Sequence, residues 1–129
     1  MSDALQQGLK WLSEQLKAHA AQEVKYRRGS KEVSVRAVVG RSLLKLDDGY
    51  GGIRMVWTDR DFLIAAEDLI LDGARTLPQR GDQIEQIIDG TKHIFEVLAP
   101  GNEPEWQWSD PHQTILRIHT TKLNEGAGP

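Results

Sequence analysis

The sequence predicts an α+β chain that is mostly β: a small antiparallel β-barrel or sandwich preceded by one N-terminal amphipathic helix. Three observations carry that expectation. Leucines recur at helical spacing within residues 1–22, the hydrophobic period changes to two after residue 22, and short apolar runs then alternate with turn residues up to residue 122. The expected organisation is a helix over 1–22, a β domain over 23–122 and a flexible tail over 123–129, all within one domain.

In the expected helix, Asp3 and Gln6 form a capping box. Leu5, Leu9, Leu12 and Leu16 follow at spacings of four, three and four, a stripe that must cover its own domain or a partner. Beyond it, "VSVRAVV" alternates Val33, Val35, Ala37 and Val39 against polar neighbours, "RSLLKL" follows across Gly40, and "IRMVW" alternates Ile53, Met55 and Trp57 like another half-buried strand. "DFLI", "DQIEQII", "HIFEV" and "TILRIHT" read as further strands, separated by "DDGYGG", "LDGARTLPQRG", "DG" and "APGNEPEWQWSDP". Asp89-Gly90 between two apolar runs marks a tight hairpin. "AAEDLIL" (Ala65 to Leu71) predicts a short helical turn.

Bulk properties narrow the function classes. A chain of 129 residues can bury roughly two-thirds of the surface its unfolded form exposes, enough for a core without staples. Cysteine is absent, which excludes thiolate nucleophiles, thiolate metal ligands and disulfides. The chain is 39% hydrophobic and 27% charged, as ordinary soluble globules are. Its net charge of −3 and pI near 5.8 argue against tight nucleic-acid binding, and the one locally basic stretch, "KYRRGSK" (Lys25 to Lys31), reads as a solvated turn. No apolar run approaches the ~20 residues that span a bilayer, and no signal-peptide core follows Met1. The expectation is a soluble intracellular protein without a membrane partner.

Candidate chemistries find little support. "DGYGGIR" fails as a phosphate loop, because Arg54 stands where the last glycine is needed and a strand follows where a helix should begin. "EWQWSDPHQTILRIHT" holds Ser109, Asp110, His112 and His119, so the alternative reading is a small metal-dependent hydrolase using Asp110, His112 and His119. Against it, the two histidines stand seven residues apart, no HExxH pair is present, and nothing like GxSxG surrounds Ser109. If Leu116 and Ile118 face the core, Arg117 and His119 face solvent or a partner. Asp47-Asp48, Asp59, Asp61 and Asp110 flank turns, where aspartate caps backbone amides. A generic bacterial protein-binding module is a further reading. No catalytic residue, metal or cofactor is assigned.

The order "VKYRRG", "DDGYGG", "DFLI", "LPQRGDQI", "HIFEV" and "WQWSDP…LRIHT" resembles the tailed-phage and prophage head–tail joining proteins, also called head-completion, connector, adaptor or stopper proteins. The resemblance covers roughly residues 24 to 120. Its sharper parts are the unit Pro78, Gly81, Asp82, Ile84, and "WQWSD" followed by "RIHT". It implies a non-enzymatic virion assembly protein that joins the DNA-filled head, on the portal side, to the tail and helps close the head. The implied location is the virion neck, with the host bacterial cytoplasm during assembly. The implied partners are the portal or adaptor ring and tail proteins, with a monomer that forms a ring on assembly and touches DNA at most through the channel. For that role the candidate interaction residues are Tyr50, Gly51 and Gly52 in one loop, Trp106, Trp108 and Asp110 in another, and the Leu5, Leu9, Leu12, Leu16 stripe. Glycines supply conformational range, aromatic side chains supply anchors, and many weak contacts act together in a ring.

Overall fold

A computed structural model describes residues 6–7, 10, 22–47, 49–101 and 103–123. The period-two stretches become strands. Strands β1 (Gln22–Arg28) and β2 (Lys31–Gly40) form a hairpin whose register pairs Arg28 with Lys31 across Gly29-Ser30. Next come β3 (Leu43–Asp47), β4 (Ile53–Trp57) and β5 (Arg60–Ala65). The helical turn expected in Ala65 to Leu71 is a single 3-10 turn at Ala66–Asp68. Short strands β6 (Ile70–Leu71) and β7 (Ala74–Arg75) precede β8 (Gln83–Ile88), β9 (Thr91–Val97), β10 (Trp106–Trp108) and β11 (Ile115–Lys122). Asp89 and Gly90, at φ 51° and 81°, make the tight β8–β9 turn that the sequence predicted.

The main sheet runs β10-β11-β5-β2-β1-β8-β9, every pair antiparallel, and β9 pairs back onto β11. Six strands therefore close into a barrel, while β3–β4 stands apart as a two-stranded ribbon. Alternate side chains point inward, among them Val24, Tyr26, Val35, Ala37, Phe62, Ile64, Ile84, Phe95, Leu116 and Ile118. Phe62 and Phe95 meet edge to face at 5.4 Å, the arrangement aromatic quadrupoles favour. The opposite sheet face carries a smaller apolar group of Val38, Leu63, Ala65 and Ile115. Strand β5 is thus buried on both faces, which explains why "DFLI" is a continuous apolar run.

The α+β class expected from the sequence is corrected. The folded unit is a mostly β barrel, and among the described residues its elements are strands and one 3-10 turn, with no α-helix among them. Among the described residues the core runs from Val24 to Ile118. The physical reason is that a narrow barrel fills its interior with its own inward side chains and needs no helical layer. Leu5, Leu9, Leu12 and Leu16 lie outside the described residues, and Gln6, Gln7 and Lys10 are exposed.

One buried carboxylate ties the barrel to the connection that leads into β8. Asp82 accepts hydrogen bonds from the Tyr26 hydroxyl, from Arg28 Nε at 2.9 Å and Nη2 at 2.8 Å, and from the Gln79 amide at 2.9 Å. Arg28 also donates to Thr76 Oγ1 and the Leu77 carbonyl, so β1 grips the segment that leads into β8. Burial, and then the bond and charge of Asp82, push the Tyr26 phenol far above its usual range. "KYRRGSK" is therefore largely a strand whose arginine serves the fold. Asp82→Ala leaves Arg28 and Tyr26 without their shared acceptor and should cost about 3–5 kcal/mol in urea unfolding. Tyr26→Phe should cost only about 1 kcal/mol, since Arg28 and Gln79 still satisfy the carboxylate.

Candidate interaction surface

The β3–β4 ribbon is apolar on both faces; one packs on the rest of the molecule and the other is mostly open. Leu46 is buried, with Leu44 and Val56 half-buried on the same side. Leu46 rests on Gly101, where an added Cβ would lie 3.1 Å from Leu46 Cδ2; φ of +65° also favours glycine there. The ribbon's root is fixed by Thr58 N to the Ser42 carbonyl at 2.8 Å, Ser42 N to Thr58 Oγ1 at 2.9 Å, and Arg41 Nε to the Thr58 carbonyl at 3.0 Å.

On the other face, register pairs Leu43 with Trp57, Lys45 with Met55 and Asp47 with Ile53. Ile53 is 65% exposed and Met55 and Trp57 are 52% exposed each, with Leu43 exposed beside them. The alternation in "IRMVW" thus correctly identifies one face, but that face is the solvent side and not the half-buried side expected. Contiguous exposed apolar side chains rimmed by charge mark association sites. At the tip, Tyr50 is 94% exposed, Gly49 and Gly51 have positive φ, and Asp47 Oδ1 caps the Gly49 amide at 2.8 Å. Gly51 and Gly52 complete the link to β4.

The second expected loop is more firmly built in. Trp106 and Trp108 lie on β10 opposite Ile118 and Leu116, contact each other edge to face at 5.2 Å, and pack half-buried against the main core. Asp110 organises the loop that follows. It accepts from the amides of His112, Thr114 and Ile115 and from Thr114 Oγ1, at 3.2, 2.9, 2.8 and 2.8 Å. Burial acts against its charge, but the Thr114 hydroxyl and the amides of Ile115, Thr114 and His112 prevail and hold it below the usual carboxylate range.

His119 departs from the expected solvent-facing position: it is buried, with Nδ1 donating to Asp61 Oδ1 at 2.9 Å. Asp61 also accepts from Ser42 Oγ, from Thr58 Oγ1 at 2.8 Å and from Arg117 Nη1 at 3.0 Å. The outer sheet face at this point is covered by the β2–β3 and β4–β5 connections, whose Ser42 and Thr58 hydroxyls reach Asp61, while the chain around Leu98 and Glu105 bonds the His119 backbone at the strand's edge. Ser42 donates to the acid and not to the imidazole, the reverse of the order in which a Ser-His-Asp triad passes a proton. Asp110 and His119 have separate partners, and among the described residues no three His, Asp or Glu side chains could hold a metal. The sequence reading missed this cluster. Its signal was an acid heading an apolar strand, with two basic side chains alternating on a later one.

The sequence model of a family described as "Phage head-tail joining protein" matches residues 2–127, nearly the whole chain. The chain belongs to that family, which assigns it a phage virion assembly role at the head–tail junction, in contact with other head and tail proteins. No curated protein and no solved structure matches it.

The Asp61 cluster makes stability depend on pH. Burial tends to raise the carboxyl, but bonds from His119, Ser42 and Thr58 and the His119 charge outweigh it, taking Asp61 from 3.8 to about 2. A carboxyl depressed on folding stabilises fully above its unfolded value and loses that contribution as pH falls through the folded one. Urea midpoints should therefore fall between pH 4 and pH 2 by an amount equivalent to on the order of 2 kcal/mol. Asp61→Asn should flatten this part of the profile; an unchanged acid limb would remove Asp61 as its source.

Proposed function

We propose that the protein closes the portal side of the DNA-filled head and joins it to the tail, assembling as a ring in which the β3–β4 ribbon is the docking arm. The observation that carries this reading is the exposed face of Leu43, Ile53, Met55 and Trp57 on an element already anchored by its other face. A joining subunit needs a body that keeps its shape and an arm that buries apolar surface only when a neighbour arrives. Each contact alone is weak, which leaves the free subunit monomeric; ring closure links the contacts and multiplies them through effective concentration. Tyr50 and the glycines beside it would extend the arm, and the half-buried Trp106 and Trp108, with the loop shaped by Asp110, would present a second surface. Catalysis is not part of this role.

Complementation tests the proposal. Filled heads and tails from a phage lacking the protein should form plaques when purified wild-type protein is added, and heads without it should leak DNA. Ile53→Asp with Met55→Asp should lower joining at least about tenfold, as truncating interface anchors does. The same pair should leave the unfolding midpoint nearly unchanged, because both side chains are exposed. Full activity of the double variant would sink the docking arm, and equal DNA retention with and without the protein would sink head closure.

A further inference from the structure

One end of the barrel interior is not closed by apolar side chains. Following each strand's inward alternation past the core leads to Arg41 beyond Val39, Arg60 before Phe62, Ile88 beyond Gln86, His93 before Phe95 and Lys122 beyond Thr120. These side chains, with Phe95 and Asp59, line one cleft of about 450 Å³. Barrel mouths are recurrent ligand positions, and about 300–1,000 Å³ is the usual size of ligand clefts.

The lining sets the ligand's charge. Three cations face one carboxylate, and Asp59 is already engaged by the Lys122 amide at 2.8 Å. Among the described residues Arg41, Arg60 and Lys122 form no ion pair, whereas Arg27, Arg28 and Arg117 all do. Both guanidiniums are held in place by aromatic rings, Arg41 at 5.2 Å from Trp57 and Arg60 at 5.0 Å from Phe95. Arg60 is further fixed by its bond to Gln86 Oε1 at 2.6 Å. His93 Nδ1 is the one buried side-chain polar atom among the described residues without a hydrogen-bond partner. Buried polar groups are nearly always satisfied, so an orphan beside a cationic cleft marks the place of a missing hydrogen-bond partner.

We infer that the barrel mouth is a recognition site for an acidic peptide segment of a partner subunit, taking one Asp or Glu carboxylate between Arg41, Arg60 and Lys122. Planar guanidiniums suit a carboxylate's two oxygens, and Ile88 and Phe95 offer apolar surface to the methylenes behind it. The convergence of the cations favours a single anionic group over a nucleic acid, whose phosphates require cations spread along a track. The net charge of −3 points the same way. The site borders the exposed face of the β3–β4 arm at Trp57, on which Arg41 rests, but does not depend on what that face docks.

Fluorescence anisotropy with a labelled hexaglutamate peptide tests the inference. The peptide should bind saturably, bind more weakly as salt rises from about 50 to about 200 mM, and shift the His93 ring signals in NMR spectra. Lys122→Gln should weaken binding about tenfold with an unchanged melting temperature, and Arg41→Gln should weaken it as much while also lowering the melting temperature slightly through its lost bond to the Thr58 carbonyl. Lys45→Gln, the same charge change on the β3–β4 ribbon, should have no effect. The inference is overturned if binding is absent up to about 1 mM or if all three variants weaken it equally. Tighter binding of an oligothymidylate, lost in the Arg41 and Lys122 variants, would assign the mouth to a phosphodiester backbone and overturn the peptide.

Discussion

Thr120, Thr121 and Lys122 pair with Val97, Glu96 and Phe95, and this short ladder turns an open sheet into a barrel. Strand β11 uses one edge for two neighbours, β10 along Leu116–Ile118 and β9 from Thr120 onward. The chain between β9 and β10 must therefore leave that edge and return to it around a single residue. His119 marks the place: its carbonyl accepts from Leu98 N at 3.2 Å and its amide donates to the Glu105 carbonyl at 2.8 Å. The loop thrown outward there carries Gly101, on which Leu46 of the β3–β4 ribbon sits. Closure of the barrel thus decides where the ribbon is seated.

Closure also settles where polar groups are buried. The connections that cross the barrel's surface leave their polar groups away from the strand ladders, so they need acceptors of their own. Asp61, Asp82 and Asp110 supply them, each receiving several donors from segments distant in sequence or from its own loop. All three could be mistaken for catalytic acids on residue type alone. Each is saturated with structural hydrogen bonds, two of them sit below the usual carboxylate range, and none presents a free oxygen beside a nucleophile. Their work is to hold connections against a rigid body.

Barrel closure restricts where the protein can associate. Main-chain pairing with neighbours is left to elements outside the barrel, and the β3–β4 ribbon combines unpaired outer edges with an exposed apolar face. The barrel mouth offers charge in place of apolar surface. Membership of a head–tail joining family gives both surfaces a context, since a subunit between head and tail meets partners on more than one side.

Much of the fold was legible in local pattern, because strand period and turn chemistry are properties of consecutive residues. The alternation in "VSVRAVV", the Asp89-Gly90 turn and the double-sided run "DFLI" each lead to the element observed. The same locality limited the rest. Leucine spacing in residues 1–22 describes a helix's stripe without saying whether the fold needs a helix, and the alternation of Ile53, Met55 and Trp57 names a shared face without saying what covers it. Trp106 and Trp108 looked like loop anchors until pairing with β11 set them against the core. His119 looked exposed because strand parity places it opposite Leu116 and Ile118, yet the outer side of that strand is roofed by distant connections and holds Asp61. The sequence by itself determined the strands, their turns and the acidic residues available to cap them. Tertiary structure alone decided which faces were covered, because coverage depends on barrel closure and on chain segments dozens of residues away.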